Sequence, residues 1–245
     1  MTKLLISVNT VEEAITALNE RVDIIDLKDP HVGTLGALNL GTTRQIVKAL
    51  NGRAMLSATV GDQPSHAALW QAIDARANLG IDIIKIAVED IDELTRLQAK
   101  FNMYQQSQIK LVAVFFAEDF SVEKNDYAAL KLLKTLGFYG AMLDTNTKSI
   151  DLCQQLTINQ MQMFVNHCAK NALFSGLAGS LKPQHIDLLS KVNPKYIGFR
   201  GGVCDNNNRL AALNSEKLKN VQMLLRQSHI LSNKSLQIAG LALHS

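Results

Sequence analysis

Cysteine is scarce in this chain. Cys153, Cys168 and Cys204 are three in 245 residues, with no C-x-x-C pair, which excludes an even-numbered disulfide framework and fits the reducing cytoplasm. The six histidines, His31, His66, His167, His185, His229 and His244, never fall in H-x-H or H-x-x-x-H spacing. No metal is therefore expected. Prolines number only four, and no stretch rich in Pro, Gly or Ser divides the chain, so residues 1–245 read as one domain. No apolar run approaches the roughly 20 residues that cross a bilayer, and Leu4 to Val8 gives way to Asn9 and Thr10, too short for a signal core. Charge does not gather either. Twenty-five Lys and Arg against 22 Asp and Glu leave +3, dispersed along the chain, which argues against nucleic acid or a membrane surface as partner.

What is present is regular. Eight short, near-continuous apolar runs begin at Leu4, Asp23, Ala54, Asp82, Lys110, Gly140, Ala172 and Tyr196. Their starts lie about 19 to 32 residues apart, the spacing that a strand, a helix and two loops require. Runs apolar at successive positions suit parallel strands covered on both faces. Between them lie helical periods. Thr10 with Glu13 reads as a capping box before a stripe of Val11, Ala14, Ile15 and Leu18. Gly80 and Gly137 stand where helices over Ser65–Leu79 and Tyr127–Leu136 should stop in the left-handed conformation. Ser215–Gln227 supplies a last amphipathic helix with Leu218, Val221, Leu224 and Leu225 inward. The pattern predicts an α/β fold, a closed (β/α)8 TIM barrel. An open doubly wound sheet is the alternative, but no G-x-G-x-x-G turn follows the first strand.

In such a barrel the chemistry sits at the carboxyl ends of the strands. Asp26 and Lys28 share one side of the second strand by its two-residue period, as an acid and amine pair or as a salt bridge closing the strand end. Lys85 interrupts Ile83-Ile84-Lys85-Ile86 with no opposite charge in its run. Burial would lower its pKa and make it a usable base, unless its stem reaches the rim. Asp144 closes the sixth strand, with Lys148 following on the loop, where it can arch back or remain a solvated cation. Ser57 and Thr59 share a face of the third strand, with Gly61 and Asp62 beyond, and could bind a polyol or carbonyl or simply fill the barrel.

The seventh run ends Gly176-Leu177-Ala178-Gly179-Ser180-Leu181-Lys182 and the eighth Arg200-Gly201-Gly202. Amides at Gly179 and Ser180, the close approach allowed by Gly201 and Gly202, and the cation of Arg200 suggest the phosphate site common in barrels. Asp29 to Gly41 is long for a strand-to-helix connection and reads as a lid. The apolar tail over about 230–245, free of charge after Lys234, must be covered by its own barrel or by a second subunit, so a homo-oligomer is one solution.

Taken in order, Asp23-Ile24-Ile25-Asp26-Leu27-Lys28-Asp29-Pro30, Gly33-Thr34-Leu35-Gly36-Ala37, Ser57-Ala58-Thr59-Val60-Gly61-Asp62, Ala141-Met142-Leu143-Asp144-Thr145 with Lys148, Leu177-Ala178-Gly179-Ser180 and Arg200-Gly201-Gly202-Val203-Cys204 resemble the (5-formylfuran-3-yl)methyl phosphate synthase family. The resemblance runs from the first strand to just past Cys204. It implies a cofactor-independent lyase that condenses two molecules of glyceraldehyde 3-phosphate into 4-(hydroxymethyl)-2-furancarboxaldehyde phosphate, a precursor of methanofuran-type carriers. By the same resemblance Lys28 forms the Schiff base, Lys85 accepts a proton, and Asp26, Asp144 and Lys148 support them. The chain departs from the family pattern at Phe115-Phe116-Ala117-Glu118-Asp119 and at Asp205-Asn206-Asn207-Asn208-Arg209. A different Schiff-base aldolase on the same scaffold and a non-catalytic phosphate-binding barrel are the competing readings.

Overall fold

Each apolar run becomes a strand that is covered on both faces. In the computed structural model, which describes residues 2–120 and 126–242, the strands are β1 (Lys3–Val8), β2 (Ile24–Leu27), β3 (Met55–Thr59), β4 (Ile83–Ala87), β5 (Lys110–Phe116), β6 (Gly140–Asp144), β7 (Phe174–Leu177) and β8 (Tyr196–Phe199). They pair in parallel in sequence order, and β8 returns to β1 to close a barrel. The described helices are α1 (Val11–Asn19), α2 (Leu40–Leu50), α3 (His66–Asn78), α4 (Ile91–Arg96), α5 (Gln98–Gln106), α6 (Asp126–Thr135), α7 (Leu152–Gln155), α8 (Ile158–Lys170), α9 (Ile186–Val192) and α10 (Ser215–Ala242). The chain is thus a TIM barrel.

Alternation along each strand divides the buried side chains into two layers. Leu5, Ile24, Ile83, Val112, Met142 and Tyr196 fill the barrel interior, while Leu4, Ile6, Ile25, Leu27, Ile84 and Ile86 pack outward with Ala14, Ile46 and Ile73 of the helices. Burying one such aliphatic side chain contributes about 1.5–3 kcal/mol. The interior layer stops at Ile24 and Ile83. One step up each strand, where the two-residue period brings Asp26 and Lys85 inward, the filling turns polar.

Local signals act as their chemistry requires, with one correction. Thr10 accepts from the Glu13 amide at 3.2 Å, while the Glu13 carboxylate takes the amide of Asn9 at 2.9 Å, one residue earlier than a reciprocal box demands. Ile15, expected in the buried stripe, is 40% exposed. Turning Glu13 inward to meet Arg200 and the Leu213 amide rotates the helix, so Glu13, Ala14 and Ala17 form its buried face. Gly80 and Gly137 take positive φ after α3 and α6. On α10, Leu218, Val221 and Leu225 are buried and Leu224 is half-buried. The backbone of α10 continues to Ala242, and the burial expected of the apolar tail concerns side chains outside the described residues. No helix among the described residues is long and apolar enough to cross a membrane.

Candidate active site

The carboxyl ends of the strands open on a cavity of about 180 Å³ that Lys28, Lys85, Asp144, Lys148, Ser180 and Arg209 line together with Asp26. Its ionic groups form two tiers. In the lower one Asp26 lies opposite Ser7 of β1 and Ser57 of β3 in register. Both hydroxyls donate to its carboxylate, at 2.9 and 2.6 Å, and the Lys85 ammonium reaches it at 2.7 Å. A fully buried carboxylate needs such partners, because nothing else replaces its lost water. In the upper tier Asp144 holds Lys28 at 3.2 Å and Lys148 at 2.9 Å, and accepts the Thr145 amide at 2.8 Å.

The five predicted charges therefore converge; Asp144 and Lys148 pair as expected, whereas Asp26 and Lys28 take other partners. Asp26 and Lys28 share a face of β2 and do not pair with each other; each is answered from another strand. The lone-lysine expectation for Lys85 is likewise corrected. Its counter-ion arrives from β2, two strands away, where the barrel brings alternate strands level with one another.

Electrostatics follows from this crowding. Burial pushes the Lys85 ammonium below the ordinary lysine range; Asp26 opposes that shift and nearby Lys28 adds to it. Lys148 is lowered in the same way, by burial first, with Asp144 opposing and Lys28 assisting. Burial alone would raise Asp144, yet Lys28 and Lys148 outweigh it and hold this carboxyl well below the usual range. The cavity thus combines an anionic carboxylate with amines disposed to lose protons.

The end of the cavity where the sequence suggests a phosphate is assembled by the loops after β7 and β8. Gly179 has φ +116° and Ser180 +49°, consecutive left-handed residues that curl the backbone around the cavity rim. At Gly179 a β-carbon would meet Thr145 at 2.7 Å, so a side chain there is barred. Gly201, Gly202 and Lys182 border the same space. Arg200 does so too, but its guanidinium is occupied by Glu13 at 2.6 Å and the carbonyls of Ser7, Arg209 and Ala211 at 2.8–3.2 Å. Its role in this geometry is to clamp α1 to the β8 loop, and the cations facing the cavity are Lys182 and Arg209.

Three further expected binding residues do not line the cavity. Ser57 supports Asp26, Thr59 donates to the carbonyl of Gly36 at 2.8 Å, and Asp62 stands exposed on its loop. Two residues were missed. Ser7 breaks the apolar β1 at the inward position two after Leu5, a period-2 signal that could have found it. Arg209 lies in an irregular loop without local pattern, and reaches the cavity while donating to the Gly33 carbonyl at 3.0 Å. Gly33 belongs to the long connection after β2, which Thr34 also ties to the Asn146 carbonyl at 2.8 Å. That loop lies against the mouth, as a lid would.

A separate cluster was invisible to histidine spacing. Asp151, Cys153 and His185 bring a carboxylate, a thiol and an imidazole within 4.8 Å of one another. The His185 Nδ1 accepts the Lys182 amide at 3.2 Å, which leaves the proton on Nε2, facing Asp151 at 3.7 Å. Burial and Asp151 push the Cys153 thiol up to about 11. Asp151 caps α7 by accepting the Gln154 amide at 3.1 Å, while Cys153 lies within the first turn of that helix.

The sequence profile of the 4-HFC-P synthase family matches residues 4–222. A Methylorubrum extorquens protein provisionally named (5-formylfuran-3-yl)methyl phosphate synthase is 40% identical over 217 residues, covering 88% of each chain. The (5-formylfuran-3-yl)methyl phosphate synthase of Methanosarcina acetivorans is 31% identical over 223 residues, 85% of this chain and 93% of its own. Among solved structures, 3-hexulose-6-phosphate synthase from Salmonella typhimurium superposes with a TM-score of 0.67 at 14% identity, over 93% of this chain and all of its own. That last likeness speaks to the fold alone.

Proposed function

The chain belongs to the 4-HFC-P synthase family, and from that premise we propose that this enzyme is a cytoplasmic carbon–oxygen lyase joining two glyceraldehyde 3-phosphate molecules into (5-formylfuran-3-yl)methyl phosphate, with loss of phosphate and water. The observation that carries the reading is the convergence of Lys28, Lys85 and Lys148 on one cavity, with Asp26 and Asp144 between them.

The amine of Lys28 attacks a triose phosphate carbonyl and water leaves, giving an iminium. Its positive nitrogen acidifies the adjacent C–H. Lys85, with its proton affinity reduced by burial, takes that proton, and Asp26 steadies the ammonium so formed. The resulting enamine attacks the aldehyde of the second molecule. Asp144 orients Lys28, and Lys148 beside it donates protons to the departing oxygens as one phosphate and water are eliminated and the ring closes; water then hydrolyses the imine and frees the Lys28 amine. The curled backbone at Gly179 and Ser180, with Lys182 and Arg209, holds phosphate and thereby fixes the carbon chain against the lysines.

The test incubates the protein with glyceraldehyde 3-phosphate, follows the ultraviolet absorbance of a conjugated furan aldehyde, and traps with borohydride. The expected result is furan formation and a covalent adduct on Lys28, both lost in Lys28→Ala. An adduct on Lys28 without furan would assign a simpler aldolase. Ligand binding unaffected by Lys28→Ala, with no turnover, would leave a phosphate-binding barrel.

A further inference from the structure

Lys148 stands outside the strands, on the loop that follows β6, yet its ammonium is held on Asp144 and on the carbonyl of Thr145. An unsupported loop would not hold a lysine there, since fixing so flexible a side chain and its backbone costs conformational entropy. The support comes from β5. Glu118, half-buried in the turn after Phe116, accepts the backbone amides of Asn146 and Thr147 at 3.0 and 2.9 Å, one on each carboxylate oxygen. From the opposite side Thr34 donates to the Asn146 carbonyl at 2.8 Å, and Ser180 to that of Lys148 at 3.1 Å.

We infer that Glu118 is a positioning residue: by gripping two successive amides it sets the bend between Thr145 and Lys148, and so places the Lys148 amine against Asp144 and the reacting carbon chain. The inference rests on the reading of Lys148 as a proton donor in the furan-forming reaction. Two features favour a carboxylate in this role. Its paired oxygens accept two parallel N–H groups at once, and a negative acceptor makes each bond roughly twice as strong as a neutral one. Glutamine offers one such oxygen and turns its amide hydrogens toward an N–H, so at most one bond survives. Alanine offers none. Glu118 does not line the cavity and bonds to main-chain amides, so its influence passes through the loop backbone.

Two measurements test this on the full chain. The first is steady-state kinetics with glyceraldehyde 3-phosphate. Glu118→Ala should lower kcat about ten- to hundredfold, as a displaced catalytic amine does, with KM within about twofold, because the amides at Gly179 and Ser180 and the cations Lys182 and Arg209 that would hold phosphate are carried by other loops. Glu118→Gln should fall between Ala and the unmodified protein. The second, without substrate, is trace labelling of lysines with an amine-reactive anhydride, read by mass spectrometry. Lys148 should label severalfold faster in Glu118→Ala, with Lys85 unchanged as internal reference. Wild-type kcat or unchanged Lys148 labelling in Glu118→Ala overturns the inference, as does a parallel loss in kcat and rise in KM. If the Ala variant does not fold, unchanged kcat and labelling in Glu118→Gln overturns it equally. Failure of the unmodified protein to form furan overturns the synthase reading instead, and the labelling result is independent of it.

Discussion

Lys85 and Asp26 face each other at 2.7 Å inside the barrel, 3% and 0% exposed, as a buried ion pair joining β4 to β2. Two hydroxyls complete the carboxylate shell, so the pair is fully satisfied on the acid side. Removing one partner strands the other charge, which in comparable sites costs about 3–5 kcal/mol, whereas replacing both by apolar groups is often neutral. Asp26→Asn should therefore lower the urea midpoint and abolish most turnover. The Asp26→Leu, Lys85→Met double variant should regain stability while staying inactive. A double variant no more stable than Asp26→Asn would contradict this account of the pair.

The pH dependence of turnover carries a second expectation. In the proposed reaction Lys85 can take a proton only when neutral, and burial places its pKa below the ordinary lysine value. The rate should rise with pH along a limb centred below about 10.4. Asp26 opposes the lowering, so Asp26→Asn should move the limb of its residual activity to lower pH. A limb that moves to higher pH, or stays where it is, would show that another group sets it.

Asp144 links charge to stability. Its carboxyl is held below the unfolded value, so the stabilisation it brings is complete above about pH 4 and is lost as pH falls through the folded pKa. The difference in urea midpoint between the unmodified protein and Asp144→Asn should be constant from pH 7 to about 5 and shrink towards pH 3. An undiminished gap at pH 3 would place the benefit elsewhere.

Two arginines near the cavity should respond in opposite ways. Arg200 is enclosed by Glu13 and backbone carbonyls, so Arg200→Met should lower the melting temperature, by several degrees for a loss of about 2 kcal/mol in a chain of this size. Arg209 borders the cavity with half its surroundings open. Arg209→Met should raise KM for a triose phosphate about tenfold with little thermal effect. Calorimetry beside steady-state kinetics separates the two, and the reverse pattern would restore Arg200 as the phosphate cation.

Much of the barrel was legible because its strands are apolar on consecutive residues and its helices carry ordinary caps. Asp26, Lys28, Lys85 and Asp144 were legible for a related reason: a charge inside an aliphatic run has no cheap structural explanation. Their partnerships were not. Which acid meets which amine depends on barrel closure and shear, properties of eight strands together that no local window contains. The hold of Glu13 on Arg200 was illegible because a cation beside two glycines looks the same in sequence whether it faces a ligand or a carboxylate 187 residues away. Glu118 stood out only within a segment that departs from the family pattern, and its role was illegible because its partners are main-chain amides, which every residue type possesses.

Strand β2 and the residue that follows it supply both ionic tiers, Asp26 below and Lys28 above. Two residues of extended chain advance about 6.5 Å, so the α-carbons that carry the acid and the amine cannot drift apart, and any slip of this segment along the barrel would displace both tiers together. The height of the Lys28 amine itself is set at the far end of its side chain, by its reach to Asp144.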